Sequence, residues 1–308
     1  MEKMEKSSEN IKVKHLVIAF IIGAALVLLL LAATETIRDM GIVREEVAVI
    51  YVQGEMVTGS IPNDIGYATS ESICQNIRDA TDEQSVKAIV LRVNSPGGTP
   101  AAAQEIVTEI KNAQEKGKPV VISMGEIATS AAYYISAPAE RIVANPDTMT
   151  GSIGVIWVFE NMSGYYSEEG IDFDVVKSGE FKDMGASWRG LTEEEKEYAD
   201  QVIVDSYERF VKEVAQGRNM PTNEVKRVAD GRIYLGSHAK DLGLIDEFGN
   251  LYDAIDTAAK LGGIKGTPQV KYMNDPSLSN LWFGAEEGYD AQHYLKYLKE
   301  NRHGQLLS

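Results

Sequence analysis

The chain has 308 residues, 44% of them hydrophobic, and carries a formal charge of −16. That length holds one large domain or two small ones, with apolar residues enough for a sizeable core. The acidity excludes a nucleic-acid binder, whose phosphates demand basic patches, and is a poor match for anionic lipid headgroups.

The first element in the chain is apolar and uncharged. Leu16–Ala33 would span about 27 Å as a helix, close to a hydrocarbon core of about 30 Å. Lys3, Lys6, Lys12 and Lys14 precede it, while Glu35, Arg38 and Asp39 follow. The positive-inside rule keeps residues 1–15 in the cytosol and exports everything after residue 34. A cleaved signal peptide is the rival, but its apolar region runs only about 7–15 residues. The expectation is therefore an uncleaved single-pass anchor at the cell membrane, a linker over 34–44, and an extracytoplasmic domain over 45–261.

Within that domain Glu46–Val52 alternates and reads as a strand, and Gln53–Ile65 as a loop with Gly54, Gly59 and Pro62. A helix is predicted over Ser70–Ala80, a buried strand over Lys87–Val93, and a helix over Thr99–Lys116 with Ala102, Ile106, Val107 and Ile110 at helical spacing. Val120–Ser123 starts the next strand. A helix over Ala131–Ala137 ends at Pro138, and strands are expected at Arg141–Ala144 and Ile153–Val158, with a turn over Gly151–Gly154 between them. Asn161–Glu169 reads as helical and Phe173–Lys177 as a further strand. Thr192 followed by Glu193–Glu195 marks the start of a long helix to Gln216. Gly231–Leu235, a helix over Ser237–Leu242, a strand over Gly243–Asp246 and a helix over Leu251–Leu261 close the regular region. Strands alternating with helices at this spacing argue for βαβ units around a mainly parallel sheet. Residues 262–308 form a polar tail of obscure role, with a possible helix at Asp290–Glu300.

Two segments carry chemistry. Asn94-Ser-Pro-Gly-Gly98 and Ala128-Thr-Ser-Ala-Ala-Tyr-Tyr134 each follow an apolar run, at neighbouring strand-to-helix junctions. Ligands bind α/β sheets at such carboxyl ends. A hydrolytic serine needs backbone N–H donors for an oxyanion, and a base. None of His15, His238, His293 and His303 is next to a glycine-rich turn, so a Ser-His-Asp triad is open only through His238. Cys74, the single cysteine, rules out an intrachain disulfide framework. No zinc-ligand spacing and no P-loop is present, so no cofactor is expected. A lysine is the remaining base. It must lose about three pKa units, which burial can supply. Lys177 and Lys182 both lie in the central region, and the residues alone leave the choice open.

Four motifs in order resemble one known family: Val93–Gly98; Ser130–Tyr134 with Ala144-Asn-Pro and Gly151–Val155; Lys177–Asp183; and Gly231-Arg-Ile-Tyr with Leu242–Asp246. Over Glu45–Leu261 the chain resembles the short form of signal peptide peptidase A, a membrane-anchored serine protease of the ClpP/crotonase-like superfamily. The resemblance implies a ClpP/crotonase-like βαβ superhelix behind one N-terminal transmembrane helix. It implies Ser130 as nucleophile, Lys182 as general base, and oxyanion N–H groups from Gly97 and Ala131. It also implies peptide substrates such as residual signal peptides, held along an edge strand, and a homo-oligomeric ring in which a neighbour could donate Lys182. One departure stands out: Ser130-Ala131-Ala132 replaces the family's Ser-Gly-Gly, which would matter if Ala131 needed φ > 0 or its methyl narrowed the pocket. Alternatives are a stomatin-associated protease of the same clan, an acyl-CoA enzyme of the crotonase fold, disfavoured because CoA is cytosolic, and an inactive scaffold.

Overall fold

The computed structural model describes residues 22–29, 44–59 and 66–274. The chain divides into two units, Met1–Glu45 and Glu46–Ser308. In the first, residues 22–29 are helical. Most of the expected anchor lies outside the described residues, as do the tail helix at 290–300 and the other three histidines. Among the described residues no helix is long and apolar enough to cross a membrane.

The second unit is built on an eight-stranded sheet. Its path is β10 (Gln269–Asn274), β1 (Glu46–Gln53), β4 (Val86–Ser95), β5 (Val120–Thr129), β6 (Arg141–Ala144) and β9 (Glu247–Phe248), all parallel. β2 (Glu55–Val57) and β3 (Tyr67–Thr69) form a separate parallel pair. β7 (Met149–Gly151) joins β5, and β8 (Ile233–Leu235) pairs with β7 antiparallel. Side chains alternate across the strands. Ala48, Ile50, Val52, Ile89, Leu91 and Val93 face the larger core, under the helices Ser70–Asp82, Pro100–Glu115 and Ala131–Ser136. Val47, Val49, Ala88 and Val90 face the smaller one, capped by the helix Leu251–Leu261. These interleaved parallel strands and helices are the mixed α/β fold read from the sequence.

β5 is longer than the apolar run Val120–Ser123 because it changes partner midway. Its first half pairs with β6 through Val121–Ser123, its second with β7 through Ile127–Thr129. Between the halves, Asn94 Oδ1 accepts the N–H groups of Glu126 and Ile127, at 3.0 and 3.2 Å. A Cβ on Gly125 would come within 2.8 Å of that oxygen, so only glycine fits beside it.

Four expectations are corrected. Ile153–Val158 and Phe173–Lys177 form no strands; apart from buried Ile153 and half-buried Val155 their apolar side chains are exposed, Ile156 at 87% and Val176 at 101%. Their alternation is real, but a strand exists only with a hydrogen-bonded partner, and the described residues offer none. The strand expected at Gly243–Asp246 forms instead at Glu247–Phe248, just past that segment, because Asp246 Oδ2 takes the Ile142 N–H at 2.8 Å in place of a ladder carbonyl. The polar tail contributes β10, whose Asn274 side chain binds the Tyr51 N–H and C=O at 2.7 and 2.9 Å and extends the ladder.

Candidate active site

Ser130 sits between the end of β5 and the helix Ala131–Ser136 with φ 54° and ψ −123°. A non-glycine residue held there carries about 1–3 kcal/mol of strain, which must be over-determined by its surroundings. Its N–H continues the β5–β7 ladder to Gly151 O at 2.9 Å, and its C=O accepts the helical N–H of Tyr134 at 2.9 Å. Tyr133, fully buried, locks that helix by donating its hydroxyl to Leu244 O at 2.9 Å. The result is a sharp strand-to-helix turn that pushes one hydroxyl outward, as in nucleophile elbows.

The Pro-Gly-Gly turn lies against it. Thr129 Oγ1 donates to Pro96 O at 2.8 Å, while Met56 N donates to Gly97 O at 2.7 Å. Gly97 was expected to supply an oxyanion N–H, but it donates that group to Ser95 Oγ at 3.2 Å. The Gly98 N–H has no acceptor among the described residues, and Gly98 lines the cavity at Ser130 where Gly97 does not. Gly98 must be glycine for another reason: a Cβ would stand 2.0 Å from Met56 O. The Ala131 N–H opens a helix and so is without an intrahelical partner. Neither Ala131 nor Ala132 has positive φ, so the departure from Ser-Gly-Gly costs no backbone strain.

The cavity has a volume of about 480 Å³. Ser130, Gly98 and Ala131 meet there with apolar walls from Ala103, Tyr134, Val155 and Phe210. Tyr134 and Phe210 pack at 5.1 Å between ring centroids. Ile203, Val204 and Tyr207, on the helix Glu193–Gly217, line the same space.

Neither lysine lines this cavity. Lys182 is exposed on a 3-10 turn, Glu180–Asp183, and makes no ion pair among the described residues. Lys177 is occupied, donating to Asp183 Oδ1 at 2.7 Å and Glu180 O at 2.8 Å. Asp183 is also gripped by Arg189, and Arg189 first, then Lys177, hold its carboxyl far below the usual range. Arg189 and the Thr192 N–H lower Glu195 to about 2. His238 is exposed and stands outside the cavity. Burial pushes the Cys74 thiol up to about 12, leaving it protonated and unfit as a nucleophile. Among the described residues no group of acidic, histidine or cysteine side chains could hold a metal ion. The sequence reading did not single out Gly98, which lines the cavity, or the Arg189 cluster. The glycine pair and the basic residue just before the Thr192 capping box were the signals available.

A strained serine at a strand-to-helix junction, beside backbone donors and an apolar cavity, is the arrangement of a serine hydrolase. Sequence comparison narrows this. Residues 112–265 match the model of peptidase family S49, and residues 49–150 match that of Clp protease. A protein named as a protease in Synechocystis sp. is 39% identical over 72% of this chain and 76% of its own. Protease 4 of Salmonella typhi is 37% identical over 76% of this chain, and a protein named as signal peptide peptidase SppA in Enterococcus faecium is 36% identical over 70%. The matched region spans 38% of the Salmonella protein and 62% of the Enterococcus one. The chain belongs to peptidase family S49.

Proposed function

We propose that this chain is a Ser-Lys endopeptidase that works as an assembly, with Lys182 of one copy serving Ser130 of the next. The observation carrying this reading is that Ser130, Gly98 and Ala131 share one cavity from which their own chain's Lys182 is missing. The unpaired runs after Ile153 and after Ile171 expose Ile156, Val158, Val175 and Val176 and suit a surface that another copy covers.

In the reaction, Ser130 Oγ attacks the scissile carbonyl carbon as the Lys182 amine takes its proton. The carbonyl oxygen becomes an oxyanion between the N–H groups of Gly98 and Ala131. Collapse breaks the C–N bond, with the Lys182 proton passing to the leaving amine. Water then attacks the acyl-enzyme ester, giving its proton to Lys182, and Ser130 departs as the restored hydroxyl. The apolar walls select an apolar side chain next to the cut, in an extended peptide. Residual signal peptides and other membrane-associated peptides have that chemistry. An anchor at 16–33 would hold the domain beside them, outside the cytosol.

The test mixes two inactive variants, Ser130→Ala and Lys182→Ala, dissociated and reassembled together. Random pairing restores about a quarter of wild-type turnover if the base acts between copies. Silence of the mixture, with both variants assembled, overturns that assignment. Loss of fluorophosphonate labelling in Ser130→Ala tests the nucleophile separately.

A further inference from the structure

The turn that bears Lys182 is only four residues long, closed by Lys182 N to Gly179 O at 3.2 Å and Met184 N to Phe181 O at 3.1 Å. Lys177 adds contacts to Glu180 O at 2.8 Å and Asp183 Oδ1 at 2.7 Å, but bonds made within the turn do not fix a base against the rest of the fold to the tolerance that proton transfer requires. The fixing comes from outside. Arg189 donates Nε to Asp183 Oδ2 at 3.1 Å and Nη2 to Asp183 Oδ1 at 2.7 Å. The same guanidinium donates Nη1 to Glu195 Oε2 at 2.8 Å and Nη2 to Glu195 Oε1 at 2.5 Å. It therefore makes a planar two-point contact with each of two carboxylates, which a lysine cannot copy.

The cluster is sheltered: Glu195 is 2% exposed and Asp183 11%. Such a network is not the solvent-screened surface pair that contributes little. Glu195 is itself fixed, since it accepts the Thr192 N–H at 2.9 Å in the capping box of the helix Glu193–Gly217. On the other side of Lys182, Phe181 packs on Tyr198 of that helix at 5.6 Å between centroids. The residues before and after Lys182 are thus both tied to one helix. Eight residues beyond Glu195, at Ile203, that helix begins to line the cavity of Ser130. The helix supports the base's turn at one end and the nucleophile's cavity farther along.

We propose that Arg189 is a positioning residue for catalysis: by clamping Asp183 to Glu195 it sets where Lys182 presents its amine. This rests on the reading of Lys182 as the base. Arg189 touches no substrate, and its effect is carried through the backbone of the turn.

The experiment uses the full chain in its assembled form, with an extended apolar peptide as substrate. Arg189→Ala should lower kcat by about 100-fold, the cost of roughly 1 Å of misplacement, with KM unchanged. Arg189→Lys, which keeps the charge and loses the fork, should recover only part. Full recovery by lysine, or a raised KM with kcat intact, would overturn the proposal. Glu195→Gln supplies a second variant should Arg189→Ala not assemble, because glutamine still serves a capping box; the same loss of kcat is expected.

Segregation of the defect separates positioning from general damage. In the Ser130→Ala and Lys182→Ala mixture, Arg189→Ala is added either to the chain that donates Lys182 or to the one that donates Ser130. Loss confined to the first arrangement supports positioning, and equal loss in both overturns it. If the mixture without Arg189→Ala is already silent, action between copies fails, and Arg189 is then decided by the kcat and KM of the uniform assembly.

Discussion

Gly97 lies directly against Ser130: a Cβ at residue 97 would come within 2.9 Å of Ser130 Cβ and 3.1 Å of Ala131 N. The glycine is thus needed for the space it leaves beside the hydroxyl and the helix-opening N–H, while its own N–H is spent on Ser95. Gly97→Ala must move backbone, since Thr129 O stands 3.0 Å away and φ is +119°. We expect fluorophosphonate labelling to fall by about 100-fold or more, the range lost with one oxyanion donor. Labelling near the wild-type rate would show that the turn yields easily and that Gly97 is replaceable.

Ser130 holds its φ of 54° and ψ of −123° at a cost that glycine would not bear. Ser130→Gly should therefore abolish labelling and raise unfolding stability by about 0.5–2 kcal/mol, strain relief less the added entropy of the unfolded chain. Urea titration of this variant beside Ser130→Ala makes the comparison. Equal stability of the two would mean that the elbow is unstrained.

The order of elements was legible in the sequence because it rests on local patterning. Apolar runs at β1, β4 and β5 and the Thr192 capping box are signals contained within a few residues. What failed depends on partners distant in the chain. Val175 and Val176 look like strand residues, yet no ladder forms with them among the described residues. β10 looks polar, and it is a strand because β1 has an open edge to fill. At the site, the serine and glycines announced themselves by type and spacing. The identity of the glycine with an unengaged N–H did not, because it turns on where Ser95 Oγ points. The choice of Lys182 over Lys177 came from family resemblance, whereas the ion pair that occupies Lys177 is a property of the folded turn.

Ala131 and Ala132 lie in the helix without positive φ, buried at 6% and 0% exposure. Restoring glycine at Ala131 should keep labelling near the wild-type rate and cost about 1 kcal/mol of stability, the helix penalty of glycine. A large gain in turnover on bulkier side chains would instead show that the Ala131 methyl limits the cavity.

Asn94 stands in for a strand carbonyl by accepting two N–H groups of β5. Asn94→Ala leaves both without that partner and should destabilise the fold by about 1–3 kcal/mol. The same change frees the bend that leads to Thr129 and Ser130, so kcat should fall with it. Asn94→Asp keeps an acceptor oxygen and should retain more of both. Equal behaviour of the two variants in thermal melts and turnover would remove the acceptor from the account.

Acid should open the Arg189 clamp from its carboxylate side. Glu195 is lowered to about 2 in the folded chain, from 4.5, and Asp183 is shifted in the same direction. A depressed folded pKa means stabilisation that is complete above the unfolded value and is lost as pH falls through the folded one. The contribution of Glu195 is therefore intact above about pH 4.5 and gone below about pH 2. Arg189 stays charged throughout, so only the carboxylates titrate. Glu195→Gln has no such group to protonate. The urea midpoints of wild type and Glu195→Gln should differ most near neutrality and converge as the pH is lowered through that window. Curves that stay parallel down to pH 2 would show that the Arg189–Glu195 pair adds nothing to the stability of the folded chain.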